Sequence, residues 1–452
     1  MTVAHRLLAL ALCLGIGNPL LAQVPKGVPR ATRPAPRKAP APAAEHAPPP
    51  APDLALPADP FGPELSEVLR LIEQRNPTIG AARIDAEAAG VDVRSAKWQR
   101  APSFSVQGSV YGVQGGAPNR AMPTATVDLP VWTGGRISAS IRRAAMSRDA
   151  AEARLGEARR DVTFQAIQQF YEYKRLSERI DTVDRDLHDL TGMQGSMERR
   201  VEQGVSARSD LELARTRTLQ VRMMRDALIA QRQGSLQRLR ELIDDNGYQL
   251  APDGLKPVLA LHADLDELVQ AADAADPRRK RVEAEAAVAR AEAKAAAAAR
   301  LPGLNVEYSY DEIYHHRIGL ALKAQGTGLA EFSIARAAAL REGAASQRVD
   351  AAAHDLRSQV INDFVDYTSS RARLEVAVLS GRSSDEVKDS YMRQFAAGKR
   401  TWFDVMNAVR EALTARLDTI DLRYAAGLAQ LRLLVRLGAL PAEDPAHDKA
   451  KD

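Results

Sequence analysis

Ser103-Phe104-Ser105-Val106-Gln107-Gly108-Ser109-Val110 alternates residue by residue, with Phe104, Val106, Gly108 and Val110 on one side and small polar groups on the other. Leu304, Val306, Tyr308 and Tyr310 keep the same phase against Asn305, Glu307, Ser309 and Asp311. Each run is followed by a second one. Ala125, Val127, Leu129 and Val131 alternate with Thr124, Thr126 and Asp128, and Ile318, Leu320, Leu322 and Ala324 alternate with Gly319, Ala321 and Lys323. A period of two marks a strand, and about ten residues suffice to cross a bilayer when tilted. An ordinary half-buried hairpin has the same alternation. Two features favour strands standing between lipid and water: the apolar phase is kept in both copies, and the runs interrupt helices too long for a globular core. Four strands cannot close a barrel of useful bore, and open edges cannot sit in lipid. Several chains are therefore expected to share one barrel.

The two strand pairs belong to a longer repetition. Leu65-Ser66-Glu67-Val68-Leu69 returns as Leu265-Asp266-Glu267-Leu268-Val269, Asn76-Pro77 as Asp276-Pro277, and Ala101-Pro102 as Leu301-Pro302. Past a shorter loop in the second copy the register moves slightly. Gly135 then matches Gly328, Ile167 matches Ile361, Phe170 matches Phe364, Tyr173 matches Tyr367, Gly204 matches Gly398, Asp210 matches Asp404 and Leu239 matches Leu433. One register held over so long a span is a tandem duplication. The expected units are residues 64–255 and 256–441, with strands near 103–112, 123–132, 303–312 and 317–326.

Each unit is punctuated alike. A short helix ends before Asn76-Pro77 or Asp276-Pro277, because the residue before proline disfavours the helical region. Ala/Arg/Glu-rich helices follow near 78–100 and 278–300. No proline then occurs over 131–251 or 303–440, and helix formers dominate both stretches. Leu176, Ile180, Val183, Leu187, Leu190, Met197 and Val201 recur at spacings of three and four, a coiled-coil seam. Helices are expected over 136–202 and 329–396, each about 100 Å long at about 1.5 Å per residue. Return helices near 207–245 and 400–438 pack back on them.

The N-terminus has Arg6, an apolar core from Leu7 to Gly17, and Leu20-Leu21-Ala22 before Gln23. This is the pattern of a cleaved export signal over 1–22, too short to span a bilayer. Cys13, the single cysteine of the 452 residues, lies inside that core behind Leu12, which does not fit a lipid-attachment site. The exported chain is thus expected to hold no cysteine and no lipid anchor, which suits an oxidising compartment. Residues 23–63 carry 13 of the 25 prolines and read as an extended tether. The last stretch, 442–452, reads as a disordered tail. With 62 basic and 58 acidic side chains the net charge is +4, and no nucleic-acid footprint stands out. Aromatic residues at 5% argue against a whole aromatic-girdled barrel on one chain.

Duplicated halves, paired strands flanked by very long helices and an export signal together resemble the TolC family of outer-membrane channels, over about residues 65–440. The opening helix with Asn76-Pro77, the strand-to-helix turn Leu129-Pro130-Val131-Trp132-Thr133-Gly134-Gly135, and the hairpin tips Gly204 to Leu211 and Gly398 to Val405 are similar to that family's motifs. The resemblance implies a mainly helical fold with a short-stranded β contribution: a homotrimeric α/β barrel of twelve strands in the Gram-negative outer membrane, in contact with its lipid, and a helical tunnel across the periplasm. It implies a periplasmic adaptor and an inner-membrane transporter of ABC or RND type as partners. Gly204, Val205, Ser206, Gly398 and Lys399 would form the adaptor-docking tips. At the periplasmic gate, Asp404 falls on an acidic ring position, while Asn407 stands where a second acid is often found. Arg400 and Asp210 match the network that holds the entrance closed, and Phe395 falls where an aromatic partner can sit. Converging carboxylates repel and need cationic partners; Asp210 and Asp404 read equally as helix caps.

Within the family some members serve drug efflux and others type I protein secretion. Gly398 to Glu411, with Trp402, Asp404, Val405, Asn407 and Arg410-Glu411, looks more like the secretion branch, including channels for large adhesins or toxins. Enzyme readings find no HExxH, GxSxG or GxxxxGK[ST] pattern, so neither catalytic residues, cofactor nor metal is expected. His315-His316 reads as an exposed hairpin turn. A reading of another class, a periplasmic coiled-coil adaptor or scaffold, calls for one hairpin nested in β-rich domains rather than two copies with two strands each.

Overall fold

The computed structural model describes residues 61–111, 120–252, 264–311, 315–323 and 330–439. The expected signal peptide, nearly all of the tether and the tail lie outside the described residues. The elements follow the duplication: α1 (Gly62–Arg75), α2 (Pro77–Trp98), β1 (Ser103–Tyr111), β2 (Arg120–Trp132), α3 (Arg136–Glu202) and α4 (Arg208–Ile243). The second copy supplies α5 (Leu265–Ala275), α6 (Pro277–Ala298), β3 (Gly303–Asp311), β4 (His315–Lys323), α7 (Ala330–Ala396) and α8 (Trp402–Arg436). Both α3 and α7 run for 67 residues.

Local chemistry sets these boundaries. Asn76 ends α1 with ψ 124° before Pro77, and its Oδ1 accepts from the Thr78 and Ile79 amides at 3.0 and 3.4 Å, capping α2. Its Nδ2 also donates to the Leu242 carbonyl at 2.9 Å, tying the cap to the end of α4. Asp276 repeats the turn and caps α6 through the Arg278 and Arg279 amides, both at 3.3 Å. A carboxylate has no proton to donate, so it takes a buried ion pair with Arg160 of α3 instead. The two copies thus use one turn with different partners.

The strands form one antiparallel sheet in the order β1-β2-β3-β4. Val106 faces Ala125, Val127 faces Tyr308, and Val306 faces Leu320, so all four apolar sides fall on one face. A bulge at Pro130–Trp132, where proline cannot donate to the ladder, shifts the β2–β3 register. The apolar face is bare: Phe104 is 84% exposed, Ile318 78% and Leu320 72%. On the polar face Lys323 reaches Asp128 at 2.6 Å and Glu307 at 2.9 Å. The fourth strand begins earlier than the sequence pattern indicates, and Ala324 lies outside the described residues. His315-His316 is therefore part of β4 rather than a turn. Tyr308 and Tyr310 stack on His316, with the Tyr308 hydroxyl 2.6 Å from its Nδ1, and this extends the apolar phase by one pair.

The helices form two overlapping rows. Nearest the sheet, α2 packs on α3, α3 on α6 and α6 on α7. Toward the other end α4 packs on α3, α3 on α8 and α8 on α7. Near the first hairpin's base, Leu65, Val68, Leu69 and Ile72 of α1 bury into Ile167 and Phe170 of α3 and Leu434 of α8. Farther along, the seam residues Leu176, Ile180, Val183, Leu190 and Met197 are buried against Val221 and Leu228 of α4 and Val409, Leu413 and Ile420 of α8. The seam expected to join two helices serves three. The rows have edges: α4 leaves Leu219, Met223 and Met224 exposed, and α7 leaves Val365, Val376 and Leu379. Sheet and helices alike are open segments.

Candidate functional site

Far from the sheet, each repeat ends in a hairpin tip built by the same backbone device. At the first tip the Gly204 amide donates to the Val201 carbonyl at 3.0 Å and the Val205 amide to the Arg200 carbonyl at 2.8 Å. At the second, Gly398 donates to Phe395 and Lys399 to Gln394, both at 2.9 Å. These pairs close the ends of α3 and α7 and require a left-handed residue, and Gly204 and Gly398 have φ of 71° and 74°. The tip residues Val205 and Lys399 are exposed.

The helices that leave the tips differ. Thr401 caps α8: its Oγ1 accepts from the Asp404 amide at 3.2 Å, while Asp404 Oδ2 accepts from the Thr401 amide at 3.3 Å and hydroxyl at 2.8 Å. This is a complete capping box. Asp404, expected on a gate ring, has its carboxylate engaged in that box, with Arg400 Nη1 at 3.9 Å as a looser partner. The matching cap of α4 is Ala207, which has no side-chain acceptor. Asp210 is left with no side-chain hydrogen bond or ion pair among the described residues, and none joins it to Arg400 there. Asn407 is half-buried one turn beyond Asp404 and likewise makes no side-chain hydrogen bond among those residues.

Arg400 braces its own hairpin. Its Nε donates to Gln394 Oε1 at 3.2 Å and its guanidinium lies 4.2 Å from the Tyr391 ring centre. Phe395 packs on Trp402 with ring centres 5.0 Å apart, and the other face of the contact is Arg200, whose guanidinium is 5.0 Å from the Phe395 ring centre. Sequence reasoning missed Arg200. The single clue is register, since Arg200 matches Gln394 in the duplication.

Farther back along α3, away from the tips, lies a second missed group. Asp186 of α3 is 4% exposed inside the three-helix seam, and its Oδ2 has no hydrogen-bond partner among the described residues. Burial pushes its carboxyl up to about 6 against the pull of Arg416 and Arg217. Burial likewise lowers the Arg217 guanidinium. No group of His, Cys, Asp and Glu among the described residues is arranged to hold a metal, and no helix there is long and apolar enough to cross a membrane.

The model of the outer membrane efflux protein family matches residues 68–244. No curated protein matches the sequence. Among solved structures, a membrane protein from Pseudomonas aeruginosa superposes with TM-score 0.75 at 16% identity, covering 85% of this chain and 94% of that one. The outer membrane protein VceC from Vibrio cholerae gives 0.73 at 16% identity, covering 84% and 97%. The open state of the Neisseria gonorrhoeae MtrE outer membrane channel gives 0.68 at 16%, covering 84% and 90%. By sequence, residues 68–244 are similar to the outer membrane efflux protein family, and by fold both repeats are similar to solved outer-membrane channels.

Proposed function

We propose that three copies of this chain close into one passive conduit, a twelve-stranded barrel in the outer membrane continued by a tunnel of helices, and that it exports protein by the type I route. The observation that carries the conduit is the pair of open edges in each layer. Among the described residues β1 and β4 each have one unpaired side, and α4 and α7 carry bare apolar residues at the matching edges of the helical rows. An open sheet edge in lipid leaves backbone groups without partners, so only closure by further copies makes the bare apolar face usable. Lumen-side polar groups such as Asp128, Glu307 and Lys323 then face water.

A periplasmic adaptor docks on Gly204, Val205, Ser206, Gly398 and Lys399, and an inner-membrane transporter supplies the energy. The gate lies at the same tips, with Asp404, Asn407, Asp210, Arg400 and Phe395 around the entrance. Asp210 is the carboxylate with capacity to spare, so its cation comes from a neighbouring copy. Secretion of a large adhesin or toxin is supported by the residues Gly398 to Glu411. Efflux of small molecules is the second reading, favoured by the family that matches the first repeat. Deleting the gene separates them: loss of a secreted protein with unchanged drug and metal tolerance supports secretion, and the reverse pattern supports efflux. Release of the exported chain by carbonate as a monomer would overturn the conduit itself.

A further inference from the structure

The two tips carry the same side-chain pair with its members exchanged. At the first, Arg200 on the last turn of α3 donates from Nε to Ser206 Oγ six residues on, at 3.1 Å. At the second, the helical position holds Gln394 and the loop position Arg400, and the bond of 3.2 Å runs the other way. A guanidinium rooted in the loop folds back over its own helix, onto Tyr391. One rooted in the helix projects sideways instead, and Arg200 reaches the ring of Phe395 on the other hairpin.

We propose that Arg200 is a positioning residue of the periplasmic entrance, a clasp that holds the α3–α4 hairpin against the α7–α8 hairpin of the same chain by laying its guanidinium on Phe395. Several features fit a clasp rather than a chance contact. The Nε–H is fixed by Ser206, so the planar group is held in one orientation. Its backbone carbonyl accepts from both Val205 and Ser206, so the residue is anchored in the turn it braces. Phe395 is backed by Trp402, itself buried in the seam core. The contact joins the two repeats where only side chains connect their tips, and parting the hairpins to widen the entrance must break it. The inference rests on the conduit reading for its role in gating, but not for the contact itself.

The test uses the full-length channel purified in detergent and inserted into planar lipid bilayers, with Arg200→Gln, Arg200→Lys, Phe395→Leu and the double variant Arg200→Gln/Phe395→Leu. Each clasp shifts the closed–open balance by about three- to thirty-fold. Mean conductance should therefore rise by at least about threefold in Arg200→Gln and in Phe395→Leu. The double variant should open no further than either single one, and Arg200→Lys, which keeps the charge but loses the planar group and its bond to Ser206, should fall between Arg200→Gln and the unaltered channel. Equal conductance for Arg200→Gln and the unaltered chain overturns the clasp, and so does a double variant whose effect is the product of the two. Amide exchange over residues 395–405 is read on the same samples, and should speed up at least about threefold in Arg200→Gln whether or not pores conduct. If the unaltered protein forms no pores, the conduit reading falls while the exchange still decides the clasp.

Discussion

The two tips share one backbone and differ in what their side chains do with it. Both close with a left-handed glycine and the same two carbonyl acceptors. The second is self-sufficient: Thr401 and Asp404 cap α8, and Arg400 braces Tyr391 and Gln394. The first lacks a cap at Ala207, leaves Asp210 without a partner among the described residues, and sends Arg200 across to the other hairpin. Duplication supplies two equal units, and a handful of substitutions divides the work. One tip is rigid on its own, while the other has groups left over for its surroundings.

That division can be broken at several points. The largest effect is expected at the base of the repeats. Asp276→Ala strips the buried Arg160 of its buried partner, leaving only the exposed Asp161 at 3.9 Å, and should cost about 3–5 kcal/mol, whereas Asn76→Ala at the matching turn loses a cap and should cost about 1–2 kcal/mol. Thermal melting of the helical circular dichroism in detergent compares them, and equal losses would remove the asymmetry.

Asp186, which stands where the second repeat has Ser380, comes next. Its carboxyl is raised to about 6 in the fold, above the ordinary value near 3.9, so the folded state holds the proton more tightly. Its stability contribution is then lost as pH rises from about 4 to 6, and stays lost above. Asp186→Asn should stabilise the seam by about 1–3 kcal/mol above pH 6 and change nothing below pH 4. Stabilisation that persists at pH 4 would contradict this origin.

Smaller effects are expected at the caps. Ala207→Ser should add about 0.5–1 kcal/mol by supplying the missing acceptor, and Thr401→Ala should remove about 1 kcal/mol. Where the repeats agree, the outcomes should agree. Gly204→Ala and Gly398→Ala should each cost about 1 kcal/mol, because both positions need positive φ, and amide exchange at the two tips can show whether the losses match.

Much of this architecture is legible in the sequence because it rests on repetition and punctuation. Gly135 and the proline-free run delimit α3, and the alternation from Ser103 and from Leu304 sets the strand phase. The start of β4 is not legible, because a histidine pair looks like a turn until Tyr308 and Tyr310 supply its stacking partners. The bonding of the tip residues is not readable: a capping box and a ring acid have the same sequence signature at Asp404. Arg200 and Phe395 lie on different repeats, so no local spacing links them. Asp186 is hidden because a seam is read from its apolar members, and the polar residue between them shows only when a third helix covers it.

The central claim is that the open edges of this chain are closed by copies of itself. β1 and β4 are separated by two strands, so they lie about 14 Å apart within one chain at about 4.8 Å per strand spacing, too far for a disulfide. With Cys13→Ser as background, cysteines placed at 104 or 106 on β1 and at 318, 320 or 322 on β4 should cross-link in isolated outer membranes for at least one pairing. The account predicts covalent dimers and trimers and nothing larger. Chains that remain monomeric under oxidation at every pairing, or that form ladders without end, would contradict it.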